Sequence, residues 1–267
     1  MSKMKTRWWE ELLTSIRIRQ AAIVSACAAV MALGTLAGFG LIGTRVEDSS
    51  GGAFAADATL VTPAGPAFSI WSLIYLGLLG YVAWQWRPNE RTDRIWWLAG
   101  ASMLLNALWL GVTQAGWLWA SVLVILALAV VLGLLIRRLG ERPPGSWVEA
   151  AVVDGTFGVY LGWVSVAAVA NVAAVLVATG VDLGPTWSTT LAVTVLAVAA
   201  LLGAWFAREL GGRWAVAAAM AWALCWVAVG RLTDGPRSVV TALAALLAAV
   251  AIAGVTAVAR RRAVRHG

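Results

Sequence analysis

"TPAGPAFSIWSLIYLGLLGYVAWQW", residues 62–86, is the stretch of this chain that decides its fold class. It contains no charged side chain, and it is longer than the about 20 apolar residues with which a helix crosses the hydrocarbon core of a bilayer. Its tryptophan and tyrosine side chains are Trp71, Tyr75, Tyr81, Trp84 and Trp86. Rings with one polar edge are typical of membrane interfaces, but they also line sites for flat, apolar molecules. The stretch therefore predicts a transmembrane helix and leaves both roles open for its rings.

The composition of the whole chain indicates an integral membrane protein. Of its 267 residues, 61% are hydrophobic and 12% are charged, whereas a soluble domain has about 45–50% apolar and about 25% charged residues. The apolar segments are continuous instead of alternating, so they predict helices and not the strands of a barrel. We predict an all-α, polytopic helix bundle with about eight transmembrane helices, over residues 21–43, 67–86, 95–113, 117–136, 152–178, 187–207, 214–230 and 238–259.

The basic residues predict the orientation of this bundle. With eight spans and both termini on one side, all but three of the 20 basic residues fall on that side, the exceptions being Arg45, Arg231 and Arg237. The positive-inside rule assigns the basic side to the cytoplasm. We therefore predict a multi-pass protein of the cell (inner or plasma) membrane with cytoplasmic N- and C-termini. The net charge of +7 is explained by topology, so we expect no nucleic-acid partner.

Cysteine and histidine usage excludes several metal chemistries. Cys27 and Cys225 both fall inside predicted spans, and no CxxC pair is present. The only histidine, His266, is next to the C-terminus. We therefore expect no metal site, because a zinc centre or a histidine-ligated haem in the core needs ligands that the spans do not supply.

The segments outside the spans differ in character. Residues 1–20 mix basic, acidic and aromatic side chains, which predicts either a short helix on the cytoplasmic membrane surface or a partly ordered tail. Residues 260–267 form a basic cytoplasmic tail. The longest external loop covers about residues 44–66, and a loop of this length is either a plain connector or a lid over a binding site.

Few polar side chains occur inside the spans, and each needs a partner in lipid. Asn106 and Asn171 either join helices by hydrogen bonds or face a polar patch. Asp154 lies near the cytoplasmic end of the fifth span, shortly after Glu149. An ionisable group at membrane depth indicates a functional site, unless it is shallow enough to reach the interface.

Aromatic and polar residues recur at helical spacing on several spans. Trp71 and Tyr75 are one turn apart, and Asn106 and Trp109 share a face of the third span. In the fifth span, Tyr160, Trp163, Ala167 and Asn171 follow one another at steps of three and four. Such a stripe is typical of a cavity wall, with rings for stacking, a small residue that leaves room and an amide for a polar edge.

These motifs together resemble the tryptophan-rich sensory protein family, also called the TspO or translocator-protein family. The matching pieces are Trp71-x-x-x-Tyr75 with Trp86 at the end of span two, Asn106-x-x-Trp109, Gly116-Trp117, and Tyr160-x-x-Trp163 with Asn171. They occur on successive helices in the family's order and cover about residues 20–180.

The resemblance implies a fold and a ligand site. It implies a five-helix bundle over residues 21–180, to which residues 181–259 add three transmembrane helices. The pocket would open under the loop between spans one and two, with Phe68 as the nearest aromatic residue of that loop. Family members bind porphyrins and in some cases sterols or synthetic ligands, and they often form homodimers. By position, the ligand-binding residues would be Trp71, Tyr75, Asn106, Trp109, Trp117, Tyr160, Trp163, Ala167 and Asn171.

Several functions follow from the resemblance and the residues together. The favoured hypothesis is a membrane-embedded, tetrapyrrole-binding sensory or regulatory protein, with a porphyrin or haem-type ligand and no required cofactor. The alternatives are a transporter of a hydrophobic or small-molecule ligand that uses Asp154, a slow porphyrin-degrading enzyme, and a structural membrane subunit. No catalytic residue is assigned, because no acid–base pair stands out. The expected partners are the lipid bilayer, a tetrapyrrole or sterol-like molecule, and a second copy of the chain. The tryptophans of the last three helices, Trp205, Trp214, Trp222 and Trp226, are expected to anchor and pack these helices.

Overall fold

A computed structural model describes residues 2–38, 40–41, 44–180 and 184–266. Eight of its segments are long and apolar enough to cross a membrane, which confirms the predicted polytopic all-α fold. Helices are expected in lipid, because the hydrogen bonds within a helix pair the backbone amides and carbonyls of a single span with one another. The side chains of residues 2–13 lie outside the described part, and with them the predicted interfacial positions of Trp8 and Trp9.

Nine α-helices make up the described chain. They are α1 (Ser2–Gly38), α2 (Ile70–Gln85), α3 (Glu90–Gln114), α4 (Leu118–Leu139), the single turn α5 (Trp147–Glu149), α6 (Thr156–Ala178), α7 (Gly184–Glu209), α8 (Trp214–Thr233) and α9 (Val239–His266). A π-helical segment, Ala150–Gly155, joins α5 to α6, so the long fifth span contains a wide turn near its start. Two 3₁₀ segments, Val46–Gly52 and Gly65–Ser69, lie between α1 and α2.

The chain ends continue their helices instead of forming separate segments. Residues 2–20 are the beginning of α1, which runs without a break into the first span. The predicted basic tail from residue 260 is likewise the last part of α9.

The helices pack in an order that puts α6 and α8 at the centre. Helix α1 contacts α3, α3 contacts α4, α4 contacts α6, α6 contacts α8, and α9 lies between α8 and α7. Helix α2 packs against α1 and α6. In the most apolar window of each span, 56% of the residues are buried for both Trp147–Ala178 and Trp214–Thr233, more than for any other described span. The helices after residue 180 therefore share a core with those before it.

Two glycines let α6 and α8 approach closely. A Cβ atom on Gly158 would lie 2.7 Å from the Cβ of Ala215, and one on Gly162 would lie against the carbonyl oxygen of Val216. Only residues without a side chain fit there, as is common where membrane helices meet. We call this pairing the α6–α8 glycine contact.

The glycines of the first span pack inside the molecule. Gly34 faces Ala107 of α3, and Gly38 faces Leu110 of the same helix. Their small size therefore serves the contact between α1 and α3. The homodimer that the resemblance implies stays a prediction.

A buried ion cluster joins three parts of the chain at one end of the bundle. The Arg91 guanidinium donates to Glu149 Oε1 at 3.0 Å and to Asp154 Oδ1 at 2.9 Å. Arg213, which precedes α8, donates to Asp154 Oδ1 at 2.6 Å. The exposed fraction of these side chains is 7% for Arg91, 5% for Glu149 and 14% for Asp154. We call this end, which carries most basic turns, the basic end, and the opposite one the loop end.

Candidate functional site: an aromatic cavity under the loop

The candidate site is a cavity of about 350 Å³ at the loop end. Its walls come from α1, α2 and α3, and it is covered by the connection from α1 to α2. We call residues 44–69 of this connection the cover loop. The cover loop therefore lies directly over the aromatic faces of α2 and α3.

Five aromatic side chains line the cavity. They are Phe54 and Phe68 of the cover loop, Trp71 and Tyr75 of α2, and Trp109 of α3. The Trp71 and Tyr75 rings are stacked, with centroids 5.4 Å apart, because a spacing of four places them one turn apart on the helix. Phe54 meets Trp109 edge to face at 5.9 Å.

Two of the predicted residues form a second layer behind this wall. Trp163 is fully buried, and its ring lies 6.2 Å from that of Trp71 and 5.6 Å from that of Phe68. Tyr160 contacts Trp71 at 6.0 Å and donates its hydroxyl proton to the Ser102 carbonyl at 3.3 Å. These α6 side chains fix the orientation of Trp71 and do not themselves line the cavity.

Asn171 holds the indole of Trp109 in place. Trp109 donates from Nε1 to Asn171 Oδ1 at 3.1 Å, and Asn171 donates from Nδ2 to Ser121 Oγ at 3.0 Å. Ser121 donates in turn to the Leu118 carbonyl at 2.6 Å. This chain runs through α3, α6 and α4, so the amide acts through Trp109 from outside the cavity.

The remaining predicted residues, Asn106, Ala167 and Trp117, do not line the cavity. Asn106 is buried within α3, and its Oδ1 atom has no hydrogen-bond partner among the described residues. Ala167 is partly buried against the helix core. Trp117 precedes α4 and is 65% exposed, because the turn after α3 directs it away from the bundle.

The tryptophan and tyrosine rings of residues 62–86 thus fall into three groups by position. Trp71 and Tyr75 line the cavity, whereas Tyr81 is buried against Phe157 with ring centroids 4.8 Å apart. Trp84 lies under the Arg87 guanidinium near the basic end, at 5.0 Å from it. Trp86 is 53% exposed there. The rings of this stretch therefore lie in different surroundings, some at the cavity and others near the basic end.

Sequence patterns missed several residues of the site. Arg45 and Glu47, which line the cavity, form an exposed ion pair at 3.2 Å. Phe54 belongs to the same loop, and Ser121 is the partner of Asn171. The first three are in an irregular loop, where no helical period indicates which way a side chain points. Ser121 was identifiable only as a serine in an apolar span.

The cavity lining combines aromatic faces with one exposed ion pair. Aromatic faces supply stacking and a large apolar area, and the Arg45–Glu47 pair supplies charge at one edge. No group of three or more metal-ligating side chains occurs among the residues that the structure describes. Asp154 is at the other end of the molecule, bound by Arg91 and Arg213, so it does not face this cavity.

The fold and the cavity together define the class: a polytopic α-helical membrane protein with an aromatic cavity under a long loop. A family model described as TSPO-like protein matches residues 20–258 of the chain. The chain therefore belongs to the TSPO-like protein family, which confirms the resemblance. The match also includes the last three spans, which the motifs had left outside. Searches of curated proteins and of solved structures gave no significant match.

Proposed function

We propose that this TSPO-like membrane protein is a sensory protein that binds a tetrapyrrole in the cavity under the cover loop. One observation carries the proposal: aromatic side chains from two helices and a loop converge on a single cavity. Stacking against such faces adds about 0.5–1.5 kcal/mol per pair beyond the burial of apolar area.

The cavity volume determines how such a ligand would sit. About 350 Å³ is near the lower end of the range of about 300–1,000 Å³ for ligand cavities. A tetrapyrrole macrocycle with its side chains exceeds that volume, so one edge of the ring system enters and the rest stays at the mouth. The stacked pair of Trp71 and Tyr75 then faces the inserted edge.

The charge at the cavity edge suits the carboxylates that tetrapyrroles carry. Arg45 is 65% exposed at its side chain and is engaged only by Glu47 among its described neighbours. A ligand carboxylate would compete with Glu47 for the guanidinium, which can bind a carboxylate through two nitrogens. A sterol has no such group, so the Arg45 contact distinguishes the two ligand classes that the family implies.

Titration with protoporphyrin IX tests the proposal. The purified protein in lipid nanodiscs is titrated while the porphyrin absorbance and fluorescence are recorded. We expect Trp71→Leu to weaken binding about tenfold, because the stacking face is lost while the position stays apolar. Trp117→Leu is the matched control, because this tryptophan is exposed away from the cavity. Equal affinities in wild type and Trp71→Leu, or an equal loss in both variants, would refute the assigned site.

The ligand class is tested by a second variant. Arg45→Gln should weaken binding of protoporphyrin IX but leave binding of its dimethyl ester unchanged, because the ester carries no carboxylate. The loss should shrink as salt is added, since the contact is exposed. If both compounds lose affinity equally in Arg45→Gln, the arginine does not bind the carboxylate.

A further inference from the structure

Helix α8 contacts the cover loop at several points, although it lies outside the five spans that carry the family motifs. Trp222 donates from Nε1 to the Ala67 carbonyl at 3.0 Å. The Ala64 amide donates to the Trp226 carbonyl at 3.2 Å. Each of these loop residues is next to one that lines the cavity, Gly65 or Phe68.

Arg231 makes the strongest of these contacts. It is a cation in the last turn of α8, yet only 1% of it is exposed. Its guanidinium donates to the carbonyls of Thr59 at 2.8 Å and Ala56 at 3.2 Å, both in the cover loop. A third bond goes to the Pro236 carbonyl at 3.1 Å, just after α8.

The chemistry of the loop explains why a buried arginine is used here. An irregular loop has carbonyl groups without secondary-structure partners, and burying them without donors costs free energy. The guanidinium supplies several donors in one rigid fork. It therefore donates to two loop carbonyls and to the Pro236 carbonyl at the same time. Its burial against neutral carbonyls ties the loop to α8.

The fit between loop and helix is also steric. A Cβ atom on Gly230 would lie 3.4 Å from both the amide nitrogen and the Cβ of Ala64, so the loop backbone rests directly on α8. The polar bonds and this close approach cover residues 56–67. Phe54 and Phe68, which line the cavity, flank that stretch on both sides, and Gly65 lines the cavity from within it.

We infer that Arg231 and Trp222 of α8 are positioning residues that hold the cover loop closed over the cavity and thereby set how slowly a ligand leaves. This rests on the proposed ligand binding. The last three spans are then part of the ligand site's machinery, although none of their described residues lines the cavity. Neither arginine nor indole touches the ligand, and both act through the loop.

The position of the loop is measured first without ligand. In a protein with Cys27→Ala and Cys225→Ala, the single substitution Ala64→Cys places a thiol at the buried contact, where the native residue is 3% exposed. We expect Arg231→Met to raise the rate of alkylation of this thiol by a water-soluble maleimide about tenfold. Arg237→Met is the matched control, since this arginine is exposed at the same end, and it should leave the rate unchanged.

Ligand residence is measured next, in the same variants without Ala64→Cys. The dissociation rate of protoporphyrin IX should rise severalfold in Arg231→Met and, to a smaller extent, in Trp222→Phe, which loses only the bond to Ala67. Trp222→Phe keeps the inference testable if Arg231→Met does not fold. Unchanged alkylation, or raised alkylation with an unchanged dissociation rate, overturns the inference.

A reversible crosslink gives the opposite perturbation with Arg231 intact. The Ala64 and Gly230 positions are close enough for a disulfide, for which Cβ atoms lie about 3.5–4.5 Å apart. Oxidising Ala64→Cys/Gly230→Cys in the protein without native cysteines should slow porphyrin release, and reduction should restore the rate. A release rate that is the same in both redox states overturns the inference. If wild type binds no protoporphyrin IX, the proposed function fails, and the alkylation rates alone decide whether α8 holds the loop.

Discussion

The two ends of helix α8 are attached to the rest of the protein by different chemistry. At the basic end, Arg213 donates to the carboxylate of Asp154, which also binds Arg91. At the loop end, Arg231 donates, among the described residues, only to backbone carbonyls of the cover loop and of Pro236 after α8. The same residue type thus neutralises opposite charge at one end and satisfies loop backbone at the other.

The difference follows from the connections that each end must accommodate. The turn between α2 and α3 is short, and carboxylates from neighbouring helices fill the basic end with ion pairs. The loop end contains the long connection from α1 to α2, whose irregular backbone does not fill the space beneath it. A cavity with aromatic walls is left there. One end of the molecule is therefore joined by ion pairs, whereas the other contains the cavity.

Removal of Arg91 should have the largest effect on stability. Arg91→Met leaves Glu149 without its guanidinium partner and Asp154 with only Arg213, and the side chains of these carboxylates are only 5% and 14% exposed. Breaking a buried ion pair from one side typically costs about 3–5 kcal/mol. Unfolding of the purified protein in mixed micelles measures this loss. Arg94→Met is the control, because its side chain is 52% exposed. Equal losses in both variants would contradict a structural role for the cluster.

Removal of Arg231 should cost less than removal of Arg91. Arg231→Met leaves neutral carbonyls with fewer donors, and the Thr59 carbonyl still accepts from the Thr62 amide at 3.4 Å. Each lost bond to a charged group costs about 1.5–3 kcal/mol, but removal of a buried cation also removes its desolvation penalty, which offsets much of that loss. The same unfolding measurement compares the two arginines directly. If Arg231→Met lowers the free energy of unfolding more than Arg91→Met does, the basic end does not contribute more to stability than the loop end.

The α6–α8 glycine contact lies between the two ends and should tolerate no side chain. Gly162→Ala introduces a methyl group against the Val216 carbonyl and 2.8 Å from the Cβ of Ala219. Overpacking of this kind typically costs about 1–3 kcal/mol. Gly133→Ala is the matched control on α4, where nothing lies within 4 Å of the added atom. If both alanines leave unfolding unchanged, the helices are less tightly packed than described.

The smallest effect is expected for the hydrogen bond between Trp109 and Asn171. Trp109→Phe removes the donor, and Asn171→Leu removes the acceptor. Interhelical hydrogen bonds in membranes average about 0.6 kcal/mol in double-mutant cycles, so we expect a coupling of that order between the two substitutions. The cycle is measured by unfolding of both single variants and the double variant. Strict additivity would show that the bond does not join α3 to α6.

Features with a local signal in the sequence were predictable. The eight spans follow from hydropathy alone, and the inward face of α2 follows from the spacing of Trp71 and Tyr75. The helical period likewise put Tyr160 and Trp163 on one stripe, which predicted that they line the cavity, but it did not indicate that Trp71 separates them from it. Periodicity shows which side chains share a face and not how deep each one lies.

Features that depend on distant partners were not predictable. Arg231 is 172 positions from Thr59, and nothing near either residue indicates that they meet. Trp117 belongs to a family motif, yet the turn before α4 exposes it. The last three spans carry no family motif, because Arg231 and Trp222 act on backbone carbonyls of a distant loop and the glycine contact depends on small residues. Contacts of this kind have no side-chain pattern in the sequence.

The α6–α8 glycine contact has a consequence for how the chain can be divided. Helices before and after residue 180 meet there along matching faces of small residues, and a bilayer confines both partners to two dimensions. Two polypeptides, one ending after α6 and the other beginning before α7, would each retain its half of this contact. Coexpressed in one membrane, such fragments should copurify through a single affinity tag. The first fragment alone would expose to lipid the face of α6 that carries Gly158 and Gly162.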